Sequence, residues 1–383
     1  PKTTAHKALI LKPVVGIGLI SYSAYLWHQP LLAFARHRML GDVTEFLLLG
    51  ICAASLLIAW FSWRYIERPF RENKKIKRKT IFSLSLFLSL ALLVIGLYLH
   101  FENGASKRFK GTILHIPTVK DQMCHNNPNT LDIHKILASQ FCKIGKLEVS
   151  PDTFLVGDSH AGSISDQLGE AFNKNQRSLY SFSGGFCAPA VGFSLEISGA
   201  QCTKQVAEIF SYILKDDSIK NVVISANWSN YIMGFRDTNA PQRGCINSSC
   251  VSSVAENATL FKKAFLLTLN RLIDARKNIF IIYPAPEFNY QGNNLFYLNQ
   301  LRDVSAKGTI PSAKYSDRNR SIIKIFDGVV NEQIKTIKVK DIFCADGLCN
   351  IFNARGLPLF SDTTHLNDLG ANLVVERIML SGL

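Results

Sequence analysis

Hydrophobic and polar positions divide this chain into two unlike halves. Three long runs near the amino terminus, residues 13–35, 46–63 and 81–99, contain no Lys, Arg, Asp or Glu. At ~1.5 Å per residue, runs of this length match a bilayer core of ~30 Å, so they predict three spanning helices. Beyond residue 150 the pattern shortens. Apolar stretches at 153–156, 178–182, 221–226, 278–283 and 336–342 predict strands. Between and after them, helix-like segments fall at 161–173, 206–214, 261–276 and 366–380. In the first of these, Ile164, Leu168 and Phe172 recur at four-residue spacing. Strands alternating with helices predict an α/β domain with a parallel sheet covered on both faces, and such sheets bind ligands at the carboxyl ends of their strands.

Charge orients the two halves. The net charge of +14 suggests nucleic acid until it is divided. Residues 1–110 hold 16 Lys/Arg against 5 Asp/Glu, whereas residues 111–383 hold 27 against 24. The downstream half therefore has no general basic excess, and a nucleic-acid partner is not expected. Eight Lys/Arg lie in residues 64–79, which places that segment on the cytoplasmic side. The expected organisation is transmembrane helices over 1–72, a basic cytoplasmic loop over 73–80 and a further span over 81–99. An extracytoplasmic linker over 100–150 and a catalytic domain over 151–383 follow. The lipid bilayer is thus one expected partner. Pro1 in place of Met, with no signal-peptide pattern, suggests a piece of a longer membrane protein.

Eight of the nine cysteines follow the last span: Cys124, Cys142, Cys187, Cys202, Cys245, Cys250, Cys344 and Cys349. An even set in a translocated domain predicts disulfides, most simply paired in sequence order. The C-x4-C spacing of two pairs admits zinc instead. An oxidising compartment and the lack of a C-x-x-C set argue against zinc, and no metal is expected.

Chemistry enters at Val156-Gly157-Asp158-Ser159-His160. Ser159 follows a predicted strand and opens a helix, where its N–H faces developing negative charge favourably. A serine nucleophile needs a base, and the base needs a carboxylate that fixes its tautomer. Asp362-Thr363-Thr364-His365 supplies both, three residues apart. Two positions fit an oxyanion hole. Ser183-Gly184-Gly185 follows the second strand, with Gly184 or Gly185 as the donor, and Asn227 follows the third. Each motif alone also fits a turn or a helix cap. It is their order along the chain, Ser, Gly, Asn and then His, that resembles the SGNH, or GDSL-like, hydrolases.

That resemblance implies a three-layer, flavodoxin-like α/β fold. It implies Ser159 as nucleophile, His365 as base, Asp362 as orienter, and an oxyanion hole of Ser159, Gly184 and Asn227. Ile20-Ser21-Tyr22-Ser23-Ala24-Tyr25-Leu26-Trp27-His28-Gln29-Pro30-Leu31 and Tyr65-Ile66-Glu67-Arg68-Pro69-Phe70 resemble the closing segments of the membrane acyltransferase family 3. Members of that family fused to an SGNH domain modify extracytoplasmic polysaccharides, and bacterial O-antigen O-acetyltransferases are similar. The combined resemblance implies acyl transfer, acetyl foremost, to a sugar hydroxyl of a polysaccharide such as lipopolysaccharide O-antigen. The location implied is the bacterial inner membrane, with the carboxyl-terminal domain in the periplasm. No tightly bound cofactor is expected, and acetyl-CoA would serve as donor to the membrane half. A polysaccharide acetylesterase and a non-catalytic carbohydrate-binding ectodomain are the alternative readings.

Overall fold

The computed structural model describes residues 9–38, 44–72, 77–102, 131–132, 141–236, 242–246, 249–302 and 308–383, with residues 3, 6 and 104. Two compact units divide the chain, the first Pro1–Leu114 with Gln300–Val304 and the second His115–Asn299 with Ser305–Leu383. The first contains three long helices, α1 (Lys12–Arg38), α2 (Glu45–Ser62) and α3 (Arg78–Phe101). After α2 the chain continues through a π-helical turn, Trp63–Glu67, and a short helix, Arg68–Glu72. Two of these helical stretches, Glu45–Arg71 and Arg78–Phe101, are long and apolar enough to cross a membrane. The expected third span falls on α1, which does not qualify. Its uncharged run includes Ser21, Ser23, His28 and Gln29, and these polar side chains dilute its hydropathy. Ser23 is buried and donates to Glu67 Oε2 at 3.0 Å, which joins the two segments whose motifs carry the membrane-family resemblance. No residue of α3 is buried. Of the expected basic loop, residues 73–76 lie outside the described residues.

The second unit is built on a seven-stranded sheet. Its strands are β1 (Leu131–Asp132), β2 (Cys142–Gly145), β3 (Thr153–Gly157), β4 (Ser178–Ser183), β5 (Asn221–Ser225), β6 (Asn278–Ile282) and β7 (Ile334–Ile337). The spatial order is β1-β2-β4-β3-β5-β6-β7. From β4 to β7 all neighbours are parallel. That order reverses direction between β3 and β5, the switch point at which doubly wound sheets open a ligand crevice. The sheet is not wholly parallel, because β2 pairs antiparallel with β4, and β1 with β2. Residues 142–145 thus belong to the sheet, although their polar, turn-rich flanks read as linker. Most of the expected linker, including Cys124, lies outside the described residues.

Burial explains why the central strands form. Every residue of β3 is buried, as is all of β5 except Asn221, the continuous apolar pattern of strands covered on both faces. Phe154, Val156, Val222, Ile224, Ile279 and Ile281 share one core with α5 (Gly199–Lys215), α6 (Val254–Asp274) and α8 (Ser312–Asp327). Against the other face pack α4 (Ser159–Lys174) and α9 (Asp368–Leu380), which contact each other. The remaining long helix, α7, spans Gly292–Arg302. Ser253 caps α6 through a reciprocal box with Glu256, satisfying donors that a helix start leaves free. The last parallel strand is earlier and shorter than its apolar run implies. Pairing with β6 ends at Ile282↔Ile337, and residues 340–343 turn into a short helix.

Among the described residues, three cysteine pairs are disulfide-bonded: Cys187–Cys202, Cys245–Cys250 and Cys344–Cys349. Cys142 is also disulfide-bonded, and Cys52 is free. Two of the bonded pairs cross-link small antiparallel sheets of two- and three-residue strands, too short for an alternating pattern to reveal.

Candidate active site

Ser159 is the first residue of α4, directly after β3. Its N–H lies in the first helical turn, whose amides have no intrahelical acceptor. The sharp passage from strand to helix depends on Gly157. A Cβ there would stand 1.7 Å from the Ser225 carbonyl oxygen and 2.9 Å from the Ala161 Cβ. Only glycine lets β3 and β5 approach this closely beneath the serine.

His365 reaches Ser159 from the other end of the chain. Its Nε2 lies 2.7 Å from Ser159 Oγ, and its Nδ1 lies 2.7 Å from Asp362 Oδ2. Asp362 also accepts the backbone N–H groups of Thr364 and His365 at 2.8 and 2.7 Å. These bonds hold the carboxylate edge-on to the imidazole and place the Nδ1 proton between them. A further bond, from Phe288 N–H to the Thr363 carbonyl at 2.7 Å, fixes this turn to the segment after β6.

The electrostatics follow. Burial works to raise the Asp362 pKa, but the bond and charge of His365 and the two N–H donors more than offset it and bring it to about 2. Burial works to lower the His365 pKa, but the bond and charge of Asp362, helped by Asp158, leave it raised. His365 is therefore a stronger base than a free imidazole.

The oxyanion candidates divide. The Gly184 N–H is taken by the Gly157 carbonyl at 3.0 Å, which continues the β3–β4 ladder by one bond. Gly184 is there for space: a Cβ would meet Cys187 Sγ at 2.8 Å and Phe182 Cζ at 3.0 Å. The next residue, Gly185, is exposed, and its N–H has no protein acceptor among the described residues. Of the two adjacent glycines, Gly185 thus has the available donor. Asn227 follows β5 by two residues. Its N–H donates to Asp158 Oδ2 at 2.9 Å, and its carbonyl accepts from Asn230. Its side-chain amide has no protein partner among the described residues.

Asp158 and His160 are engagements that sequence reasoning missed. Asp158 is buried and caps α4, accepting from His160 N–H at 2.8 Å as well as from Asn227 N–H. Tyr231 donates its hydroxyl to the same carboxylate at 2.7 Å. Burial pushes the Asp158 pKa up, and these three bonds pull it partway back. One side chain thus clamps the nucleophile turn to the Asn227 loop. His160 is buried, with its ring centroid 4.9 Å from that of His365. Burial and the His365 charge push its pKa down to about 3, so it stands neutral beside the base. The only signal for these roles was position. Both residues lie within the motif, and Tyr231 stands four residues after Asn227.

Over 74 residues the chain is 34% identical to O-acetyltransferase OatA of several Staphylococcus aureus strains, a segment that is 19% of this chain. The chain therefore aligns with only 12% of the length of that relative. Among solved structures, it is similar to the periplasmic domain of a lipopolysaccharide acetyltransferase from Salmonella ser. Paratyphi A. That match has 15% identity and a TM-score of 0.44, and covers 62% of this chain and 85% of that one. It is also similar to the acetyl xylan esterase AlAXEase, with 12% identity, a TM-score of 0.33, and 60% and 99% coverage. The match that spans most of the chain is to the family model described as SGNH domain (fused to AT3 domains), over residues 123–379. Taken with the switch-point serine and its histidine–aspartate partners, it makes this chain a member of the SGNH-domain family that occurs fused to AT3 domains.

Proposed function

We propose that the chain transfers an acyl group, acetyl foremost, to a hydroxyl of an extracytoplasmic polysaccharide such as O-antigen, through an ester on Ser159. The observation that carries this reading is the unbroken relay from Asp362 through His365 to Ser159, with both bonds at 2.7 Å. Ser159 Oγ attacks the acyl carbonyl while His365 Nε2 takes the hydroxyl proton. The Ser159 and Gly185 N–H groups and the Asn227 side chain donate to the oxyanion. His365 returns its proton to the leaving group, and the acyl remains on Ser159. A sugar hydroxyl then enters, gives its proton to His365, attacks the ester, and leaves with the acyl group. The description of the family as fused to AT3 domains supports transfer; in this reading a membrane partner domain would deliver the acyl group from a cytoplasmic donor such as acetyl-CoA.

A polysaccharide esterase would use the same residues, with water as the acceptor. The His365 side chain is 27% exposed, so water can reach the base. Products separate the readings. The chain is incubated with an acetyl ester and O-antigen oligosaccharides and analysed by mass spectrometry. Acetylated sugar is expected, whereas free acetate alone would make the protein an esterase. Ser159→Ala is expected to lower turnover by at least ~10³-fold, consistent with loss of a triad member. Undiminished turnover would remove the mechanism.

A further inference from the structure

We propose that the groove between α8 and the segment following β7 is an anion site for the saccharide acceptor, holding a carboxylate- or phosphate-bearing sugar away from Ser159. The inference rests on the polysaccharide reading of the function. The groove encloses about 670 Å³. Arg320, Lys324, Lys338 and Lys340 line it, opposed by Asp327 and Asp341. Residues 111–383 carry only three more basic than acidic side chains, so lysines without an ion-pair partner in one cavity are a local concentration of charge.

Two of these bases are paired, Arg320 with Asp317 at 2.5 Å and Lys338 with Asp327. Asp327 accepts the Tyr283 hydroxyl at 2.8 Å and stands 4.0 Å from Lys338. Lys324 and Lys340 have no ion-pair partner among the described residues. Tyrosine rings position two of the ammonium groups. Lys338 lies 5.8 Å from the Tyr283 ring centroid, and Lys340 lies 5.7 Å from that of Tyr315. Such contacts orient a cation without cancelling its charge.

Tyr283 directly follows β6, and Lys338 directly follows β7, so both stand at the carboxyl end of the sheet, as Ser159 does. Three strand spacings separate β3 from β7, about 14 Å at ~4.8 Å each. Tyr283 also lines a second, small cavity, together with His160 and Leu366. An oligosaccharide with a hydroxyl at Ser159 could therefore lay an acidic residue among these lysines. A cavity at the active end of the sheet favours this occupant over a flat anionic lipid surface.

The test uses the full chain in phosphatidylcholine nanodiscs, titrated calorimetrically with oligogalacturonate, phosphorylated maltooligosaccharide and neutral maltooligosaccharide of equal length. At least one acidic probe is expected to bind more tightly than the neutral one. That affinity should fall about tenfold in Lys324→Ala/Lys340→Ala and weaken with added salt. Ser159→Ala should bind the acidic probe normally, and the double lysine variant should hydrolyse a small acetyl ester at the normal rate. Equal affinity for acidic and neutral probes overturns the site, as does unchanged affinity in the lysine variant. So does lysine-dependent binding seen only with phosphatidylglycerol vesicles. If sugar acetylation fails but lysine-dependent binding of an acidic sugar holds, the transfer reading falls and the site stands.

Discussion

At the scale of single residues, the proposed reactivity of the site rests on one imidazole between the Asp362 carboxylate and the Ser159 hydroxyl. Asp362 bonds His365 directly, and Asp158 adds its charge from beneath the nucleophile turn. Only the neutral imidazole can take the Ser159 proton, so activity must rise with pH as His365 deprotonates. Because its pKa is raised, the acid limb of kcat/KM is expected to have its midpoint above 6.5. Asp362→Asn removes the carboxylate, which should move the midpoint of the residual activity downward and lower kcat by ~10⁴-fold. A pH–rate profile of both proteins checks this, and an unshifted midpoint would deny Asp362 its role. The stabilising contribution of the pair has its own window. The Asp362 part is present above pH ~4 and is lost as pH falls through about 2. The His365 part is complete below ~6.5 and is lost as pH rises through its raised pKa. The meeting of Ser159, His365 and Asp362 was legible in the sequence because the proposed nucleophile, base and orienter are restricted to few residue types. Which adjacent glycine keeps its N–H available was not. Choosing Gly185 over Gly184 depends on one ladder bond, from Gly184 to Gly157, and strand register is not written in a pair of adjacent glycines.

Between elements, the decisive contact is the seam of β3 and β5. The register pairs Gly157 with Ser225, and this close approach brings Asn227 N–H onto Asp158. Gly157→Ala would press its Cβ on the Ser225 carbonyl, which is backbone and has no rotamer to yield. The variant is expected to lose about 3 kcal/mol. For a domain of this size that lowers Tm by roughly 6–12 °C, measurable by calorimetry on the oxidised protein. Turnover should fall as well, since the serine turn and the Asn227 loop share this seam. A variant of unchanged Tm and activity would show that the seam opens without cost. The strands flanking the seam were readable because buried parallel strands are apolar throughout. Helix α8 was not assigned from sequence, because its many charged residues, Lys314, Asp317 and Arg320 on the exposed face and the largely buried Arg318, obscure Tyr315, Ile322 and Phe326 at helical spacing. The Arg318–Glu287 ion pair, with side chains 17% and 6% exposed, joins this helix to the segment after β6, a contact made by the fold and not by local pattern.

For the whole molecule, the question is on which side of a membrane the SGNH unit works. Two helical stretches qualify as spans in place of the expected three, yet the expected orientation does not depend on the third. The basic segment 64–79 lies between the apolar parts of the two that remain. If that segment is held in the cytoplasm by its eight Lys/Arg, Arg78–Phe101 must leave the cytoplasm, whatever α1 does. The bonded cysteines agree, since structural disulfides such as Cys187–Cys202, Cys245–Cys250 and Cys344–Cys349 are characteristic of an oxidising compartment and rare in a reducing one. Alkaline phosphatase fused after Glu102 is therefore expected to be active in cells, and the same fusion within residues 73–76 inactive. The opposite pattern would place Ser159 in the cytoplasm, beyond reach of an exported polysaccharide. The triad would keep its chemistry there, but the acceptor, the disulfides and the acidic-sugar groove would each lose the compartment that gives them a function.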